Sequence, residues 1–246
     1  MVIVGLTGNI GSGKSTFADF LAEQFEHAGH WESWQLIAEV AEALRANGHP
    51  KSDSTEAVNR WLEPLPDIIQ KICHKQVSFN DLKLDGAVKH DSPEYVKLFQ
   101  YLELVQERPE LAVGPVTEAR KEDLRSILQW LGGYLAAKCG GDIWYGEIIR
   151  RIQTEPKLEL ATIGGVRFPA DAKCIINAGG VIMAIERPGW EPRDKSDPTE
   201  RERGQIHADT VIYNDGSLDQ LRRCAQKVAA DIKGGTRLPQ YRAAEP

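Results

Sequence analysis

Residues 1–17, MVIVGLTGNIGSGKSTF, decide the fold. Met1 to Thr7 is almost wholly apolar, as a strand buried on both faces of a parallel sheet must be. Gly8-Asn9-Ile10-Gly11-Ser12-Gly13-Lys14-Ser15 then fits G-x-x-x-x-G-K-[ST]. From Thr16 onward, Phe17, Phe20, Leu21 and Phe25 share one face of a predicted helix. A glycine-rich turn in that position can aim several backbone N–H groups at an anion, and the helix N-terminus adds partial positive charge. Residues Gly8 to Thr16 are therefore expected to cradle the phosphates of a nucleotide. Lys14 would reach the β- and γ-phosphates, and the Ser15 hydroxyl would ligate Mg²⁺.

Length and composition narrow the setting. A chain of 246 residues, 41% of them hydrophobic, can bury a substantial core, and one domain carrying an insertion is expected over two independent ones. The formal charge of −6 argues against a general nucleic-acid binder. Cys73, Cys139, Cys174 and Cys224 are scattered without a C-x-x-C pair, which reads as reduced thiols of a cytoplasmic protein and not as a disulfide frame or zinc site. The six histidines fall into no triad or metal spacing. No apolar run approaches the roughly 18 residues of a membrane span, and no secretory leader is expected ahead of the phosphate loop.

Along the chain, Trp31 to Ile37 is expected to form a short second strand and Glu39 to Ala46 a helix. Residues 50–116 suggest short helices around Val58, Trp61, Ile68, Ile69 and Ile72, interrupted by Pro64 and Pro66, with a polar loop from Asp81 to Asp91 and a helix from Tyr95 to Val105. Thr117 to Lys138 is predicted helical from Leu124, Ile127, Leu128, Leu131 and Leu135, with Gly140 and Gly141 as its stop. A helix over Ile143 to Ile152 and a strand over Leu158 to Ile163 follow. A short helix from Asp171 to Ala178 precedes strands at Val181 to Glu186 and Thr210 to Tyr213. Ser217-Leu-Asp-Gln220 is a capping box opening a helix with Leu218, Leu221, Ala225, Val228 and Ile232 on one face. The tail from Gly234 is expected to fray. Strands alternating with helices imply an α/β protein with a parallel sheet of about five strands. Its ligand edge would lie at the carboxyl ends near Thr7, Gly164, Glu186 and Asn214.

Transfer of a γ-phosphoryl group needs cations more than an acid or a base, and a phosphate acceptor is already ionised. Arg167 stands just past one strand end, and Arg187, Arg193 and Lys195 just past the next; Arg125 lies on the long helix. Acidic residues interleave from Glu191 to Glu202, so Arg193 and Lys195 also fit a solvated loop. Asp171 suits a sugar hydroxyl or a base, or a helix cap. Trp144 and Tyr134 suit a stacked base or core packing. Gln129 carries amide groups suited to a base edge. Asn214-Asp-Gly-Ser217 suits the border of an adenine or a plain turn and cap.

These pieces resemble a family. Arg125-Ser-Ile-Leu-Gln129-Trp-Leu-Gly132, Asp142-Ile-Trp144, Val166-Arg167-Phe168-Pro-Ala-Asp171, Glu186-Arg187-Pro188-Gly189 and Tyr213-Asn-Asp-Gly-Ser-Leu218 follow the order found in bacteriophage deoxynucleoside monophosphate kinases. The resemblance covers residues 1–25 and 120–232 and is poor over 26–119. It implies a P-loop kinase fold with a core of about 1–46 and 155–232, a helical substrate-binding insertion of about 47–154 and a lid of about 187–206. The implied activity is Mg²⁺- and ATP-dependent phosphorylation of a deoxynucleoside monophosphate, in the host cytoplasm if the chain is phage-encoded. A homodimer is left open, and no membrane or nucleic-acid partner is implied. Lys14, Ser15 and the rest of the loop would serve ATP and Mg²⁺, and Asn214 would border ATP. Arg125, Gln129, Gly132, Trp144, Arg167 and Asp171 would serve the deoxynucleotide. Lys14, Arg167, Arg187 and Arg193 would be catalytic, the last two on the lid.

The sequence departs from the family at three places. Gly165 stands where an Asp is usual before the Val-Arg pair, Gly133 where a Thr is common, and Ala41 where a Lys is often found. A dephospho-CoA kinase is an alternative, with a very similar phosphate loop and a segment like Ala208 to Asn214. That family expects an acidic end to the second strand, where Trp34-Gln-Leu-Ile37 is expected here. A third reading is an ATP-dependent switch without a small acceptor.

Overall fold

The computed structural model describes residues 1–85, 95–189, 203–236 and 238–244. They divide into two compact units, residues 1–32 with 148–246, and residues 33–147. The divisions fall at 32/33 and 147/148, against the expected 46/47 and 154/155.

The first unit is built on a six-stranded sheet. Its strands are β1 (Val2–Thr7), β2 (Ala28–Glu32), β3 (Leu160–Gly164), β4 (Val181–Glu186), β5 (Thr210–Tyr213) and β6 (Tyr241–Arg242). The order is β2-β3-β1-β4-β5-β6, with every pairing parallel. Helices α1 (Lys14–Ala22) and α10 (Leu218–Gly234) pack on each other and on the sheet, and α9 (Pro169–Asn177) packs against β1 and β4. Phe17, Leu21, Met183, Ile185, Leu221 and Val228 are buried in one shared core. Each such side chain contributes about 1.5–3 kcal/mol relative to exposure. Neighbouring strands β1 and β3 send their connections in opposite directions across the sheet, to β2 and to β4, which opens a crevice at their carboxyl ends.

Two expectations are corrected here. The tail expected to fray returns as β6 and adds a sixth strand to the parallel sheet of about five, where Ala243 N–H donates to the Tyr213 carbonyl at 2.9 Å. The second strand is Ala28–Glu32, not Trp31 to Ile37. Trp34, Leu36 and Ile37 belong to α2 (Ser33–Arg45), whose Leu36, Val40, Ala41 and Leu44 recur at helical spacing and are buried.

The second unit is helical: α2, α3 (Thr55–Leu62), α4 (Leu65–Cys73), α5 (Phe79–Leu82), α6 (Val96–Glu107), α7 (Arg125–Cys139) and the first residues of α8 (Ile143–Gln153). Pro64 and Pro66 do not break a helix internally; they start α4, where a missing N–H costs nothing. Asp81, expected in a loop, closes a capping box with Ser78 at the start of α5. The segment expected to be helical from Thr117 is a 3₁₀ turn at Glu118–Arg120, and α7 begins only at Arg125. Trp61 stacks on Tyr101 and on Trp130 at ring-centroid distances of 6.3 Å, and Trp130 stacks on Tyr134 at 4.8 Å. Arg45 is completely buried, donating from Nη1 to the carbonyl of Gly114 and from Nη2 to those of Leu111 and Val113. Burial pulls its guanidinium pKa below the ordinary value.

Candidate nucleotide-binding site

The phosphate loop lies between β1 and α1, at the carboxyl edge of the sheet. Its path depends on Gly13, which caps α1 with φ 97° and ψ 16°, a left-handed conformation that a side chain disfavours. A Cβ at Gly13 would also stand 2.5 Å from Asn214 Nδ2. The Lys14 ammonium folds back over the loop, donating to the carbonyls of Gly8 at 2.8 Å and Asn9 at 2.7 Å. Asn214, just past β5, donates from Nδ2 to the Ser12 carbonyl at 2.9 Å.

Gly11, Gly13, Lys14, Ser15, Thr16, Arg187, Asn214, Gly216, Leu218 and Leu221 line a cavity of about 420 Å³. One cavity thus collects the expected loop, the arginine after β4 and the turn after β5. Gly8, Asn9, Ile10 and Ser12 complete the loop, with Ile10 exposed at its tip. Thr7 Oγ1, Asn9 Oδ1 and Ser12 Oγ are buried without a hydrogen-bond partner among the described residues. Orphaned polar atoms are costly, and a cluster around a glycine-rich turn marks backbone shaped for a ligand. The donor set suits a nucleotide with Mg²⁺: N–H groups and cations for phosphate oxygens, and a hydroxyl at Ser15 for a hard ion that keeps several waters.

Arg167 follows the β3 end and is exposed, outside that cavity lining. Asp171 Oδ2 accepts from the backbone N–H of Arg167 at 3.2 Å and of Phe168 at 3.0 Å. Of the two roles open to Asp171, the geometry supports the cap. Only 7% of it is exposed, and burial pushes its carboxyl up to about 6 against the pull of those two N–H groups. Gly165, the position of the missing acid, has φ 69°, so a carboxylate-bearing residue there would be strained. Ala41, the position of the missing lysine, is fully buried in α2.

The remaining expected substrate residues stand in the helical unit. Arg125 Nη1 pairs with Glu122 at 3.0 Å, and Gln129 is exposed on α7. Trp144 is only 5% exposed, and its Nε1 donates to the Gly132 carbonyl at 2.9 Å, so ring and N–H alike are engaged in helix packing. Tyr134 is likewise buried, its hydroxyl donating to the Leu82 carbonyl. Arg193, Lys195 and most of the expected lid lie outside the described residues.

One feature the sequence did not disclose is Glu32. Once β2 is placed correctly, it ends in this acid, at the same carboxyl edge as Gly164, its register partner on β3. An added Cβ on Gly164 would stand 2.7 Å from Glu32 Oε1, so the carboxylate leans over β3. The sequence signal was available in the shift from strand to helical spacing at Ser33.

Fold and loop define an α/β protein with a parallel six-stranded sheet flanked by helices, consistent with a P-loop kinase fold. No family model matches the sequence, and no curated protein does either. Among solved structures, the crystal structure of TT1252 from Thermus thermophilus is similar at 17% identity, covering 94% of this chain and 97% of that one with a TM-score of 0.37. Nothing about function follows from it. Among the described residues, no helix is long and apolar enough to cross a membrane.

Proposed function

We propose that the protein is a nucleotide kinase transferring the γ-phosphoryl group of ATP to a deoxynucleoside monophosphate, yielding the diphosphate and ADP. The observation that carries this reading is the single cavity in which the phosphate loop, Lys14 and Arg187 meet. An oxygen of the acceptor's α-phosphate attacks the γ-phosphorus in line. The bond to the β–γ bridging oxygen breaks, and its electron pair leaves with ADP. No proton needs to be removed from an acceptor already ionised at neutral pH. Lys14 exchanges its two loop carbonyls for phosphate oxygens, and Arg187 meets charge that develops between donor and acceptor. Arg167 carries the guanidinium fork suited to the acceptor's phosphate. A Mg²⁺ arriving with the nucleotide would be held by Ser15 and would neutralise phosphate charge. The choice of deoxynucleotide rests on the order of the motifs from Arg125 to Leu218.

Glu32 favours a second reading. A dephospho-CoA kinase is expected to carry an acidic end on its second strand, and β2 ends in that way. An ADP-release assay across the deoxynucleoside monophosphates, the ribonucleoside monophosphates and dephospho-CoA separates the two. Turnover with one or more deoxynucleotides is the expected result. Turnover with dephospho-CoA alone would transfer the assignment to the second reading. Slow ATP hydrolysis indifferent to every acceptor would make the protein an ATP-dependent switch.

A further inference from the structure

The cavity has two ends. One is the phosphate loop; the other is the turn after β5, contributing Asn214, Gly216 and the side chain of Leu218, which is 67% exposed. A nucleotide with its phosphates on the loop would set its sugar or base against that turn. Such a turn needs something to hold it, and the C-terminal segment does so at several points. Ala244 N–H donates to Asp215 Oδ1 at 3.0 Å, and Arg242 Nη1 pairs with Asp215 Oδ2 at 3.1 Å. The Arg242 guanidinium also lies over the Tyr213 ring at 4.4 Å. The approach is tight enough that a Cβ on Gly216 would stand 3.1 Å from both Ala243 C and Ala244 N. The segment is itself anchored: Tyr241 donates its hydroxyl to Asp231 Oδ2 at 2.7 Å on α10, and Thr210 donates to the Pro239 carbonyl.

Resting on the nucleotide-site reading above, we propose that residues 238–244 form a strap that positions the base-binding end of the donor site, with Asp215 and Arg242 as its positioning residues. Neither lines the cavity; both act through the turn from Asn214 to Leu218. The Ala244 N–H and the Arg242 guanidinium hold the Asp215 carboxyl below its usual range, so the pairing persists at neutral pH. A two-residue strand alone would contribute little, and the bidentate engagement of Asp215 fixes the turn in one conformation.

The test compares two probes of one cavity. Inorganic tripolyphosphate engages the phosphate loop alone, whereas ATP engages both ends. Calorimetry with each is run on the wild type, Asp215→Ala, Arg242→Ala and Asp215→Asn, beside thermal unfolding of each protein. The alanine variants are expected to bind ATP about tenfold more weakly, equivalent to about 1.4 kcal/mol. Tripolyphosphate binding should change less than twofold. Asp215→Asn keeps an acceptor for Ala244 N–H and should recover part of the ATP affinity. Unchanged ATP binding in both alanine variants would overturn the strap. Equal losses for both probes, tracking a drop in Tm, would also overturn it, because the segment would then support only the fold. A wild-type protein that binds neither probe would instead remove the nucleotide-site reading.

Discussion

Lys14 and Arg45 each direct a positive charge at the backbone carbonyls of a loop, and they differ in what else can reach them. Lys14 holds two carbonyls of the phosphate loop from the wall of an open cavity. Arg45 holds three carbonyls of the segment from Leu111 to Gly114 from a position with no solvent exposure. The local chemistry is the same, and accessibility decides its use. A phosphate arriving in the cavity can replace the carbonyls around Lys14. Nothing can replace those around Arg45, so its charge fixes the end of a 3₁₀ turn (Pro109–Ala112) and the loop that follows it. Lys14 and Arg45 thus differ in exposure to the cavity, and substitutions can be ranked against that difference.

The largest effect is expected at Arg45. Arg45→Met keeps most of the aliphatic stem but leaves the carbonyls of Leu111 and Gly114 without their donor, while that of Val113 keeps only Arg120 Nη2 at 3.2 Å. Hydrogen bonds to charged groups contribute about 1.5–3 kcal/mol each, and losses around one side chain are not additive, so about 3–5 kcal/mol of stability should go. Urea denaturation followed by circular dichroism measures it. A loss under about 1 kcal/mol would mean that water or backbone rearrangement satisfies those carbonyls, and the contrast with Lys14 would collapse.

Lys14→Ala is expected to do the reverse. Lys14 lines an open cavity and is not part of the packed core, so stability should change by less than about 1 kcal/mol. Activity should fall by about 10²–10³, or about 2.7–4 kcal/mol of transition-state stabilisation. Steady-state ADP release with the preferred acceptor, beside a melting curve, gives both numbers. A folded Lys14→Ala protein with a near-normal rate of ADP release would remove this loop from the proposed chemistry.

The two cations were not equally legible in the sequence. The phosphate loop is written in glycine spacing, because its backbone geometry tolerates few other residues at Gly13, and Lys14 comes with it. Arg187 was legible from its place one residue past a strand end. Arg45 left no sign: arginine is rarely buried, and at the last position of an amphipathic helix it reads as an ordinary solvated C-terminal cation. Glu32 was hidden by a misplaced strand, since Trp34, Leu36 and Ile37 look as apolar in a strand as in a helix until Val40, Ala41 and Leu44 are counted. Strand β6 is two residues long and has no period to detect. Trp144 fitted stacking and packing equally well, and only its bond to the Gly132 carbonyl favours packing.

Arg167 sharpens the comparison from the exposed side. It lies outside the cavity lining, so Arg167→Ala should leave ATP affinity nearly unchanged. If its fork meets the acceptor's phosphate, kcat/KM for the monophosphate should fall ten- to a hundredfold, about 1.5–3 kcal/mol. Arg167→Lys should recover little, since it keeps the charge without the planar geometry. Kinetics with each substrate varied, beside calorimetry with ATP, separates the two sites. Weakened ATP binding with an unchanged monophosphate KM would move Arg167 to the donor side.

The smallest effect concerns Asp171, a buried anion where Arg45 is a buried cation. Its carboxylate caps the backbone of Arg167 and Phe168, yet burial outweighs those bonds and raises its pKa from 3.8 to about 6. The folded state therefore binds this proton more tightly than the unfolded chain. Stability from this group is fully present below about pH 4, declines as pH rises toward 6, and stays at its lower level above that. A shift of about two units bounds the difference at about 3 kcal/mol. Asp171→Asn retains an oxygen to accept the same N–H groups and has no charge to desolvate. It forfeits about 0.3–1 kcal/mol from an anion near the α9 N-terminus. The variant should thus be about 1–2 kcal/mol more stable than wild type at about pH 8, with the advantage shrinking at about pH 5. Other carboxylates titrate alike in both proteins, so the difference between their urea curves at the two pH values isolates Asp171. If Asp171→Asn were instead less stable than wild type at the higher pH, the backbone amides and the helix terminus would outweigh burial. The charge at Asp171 would then hold its loop as firmly as Arg45 holds the segment from Leu111 to Gly114.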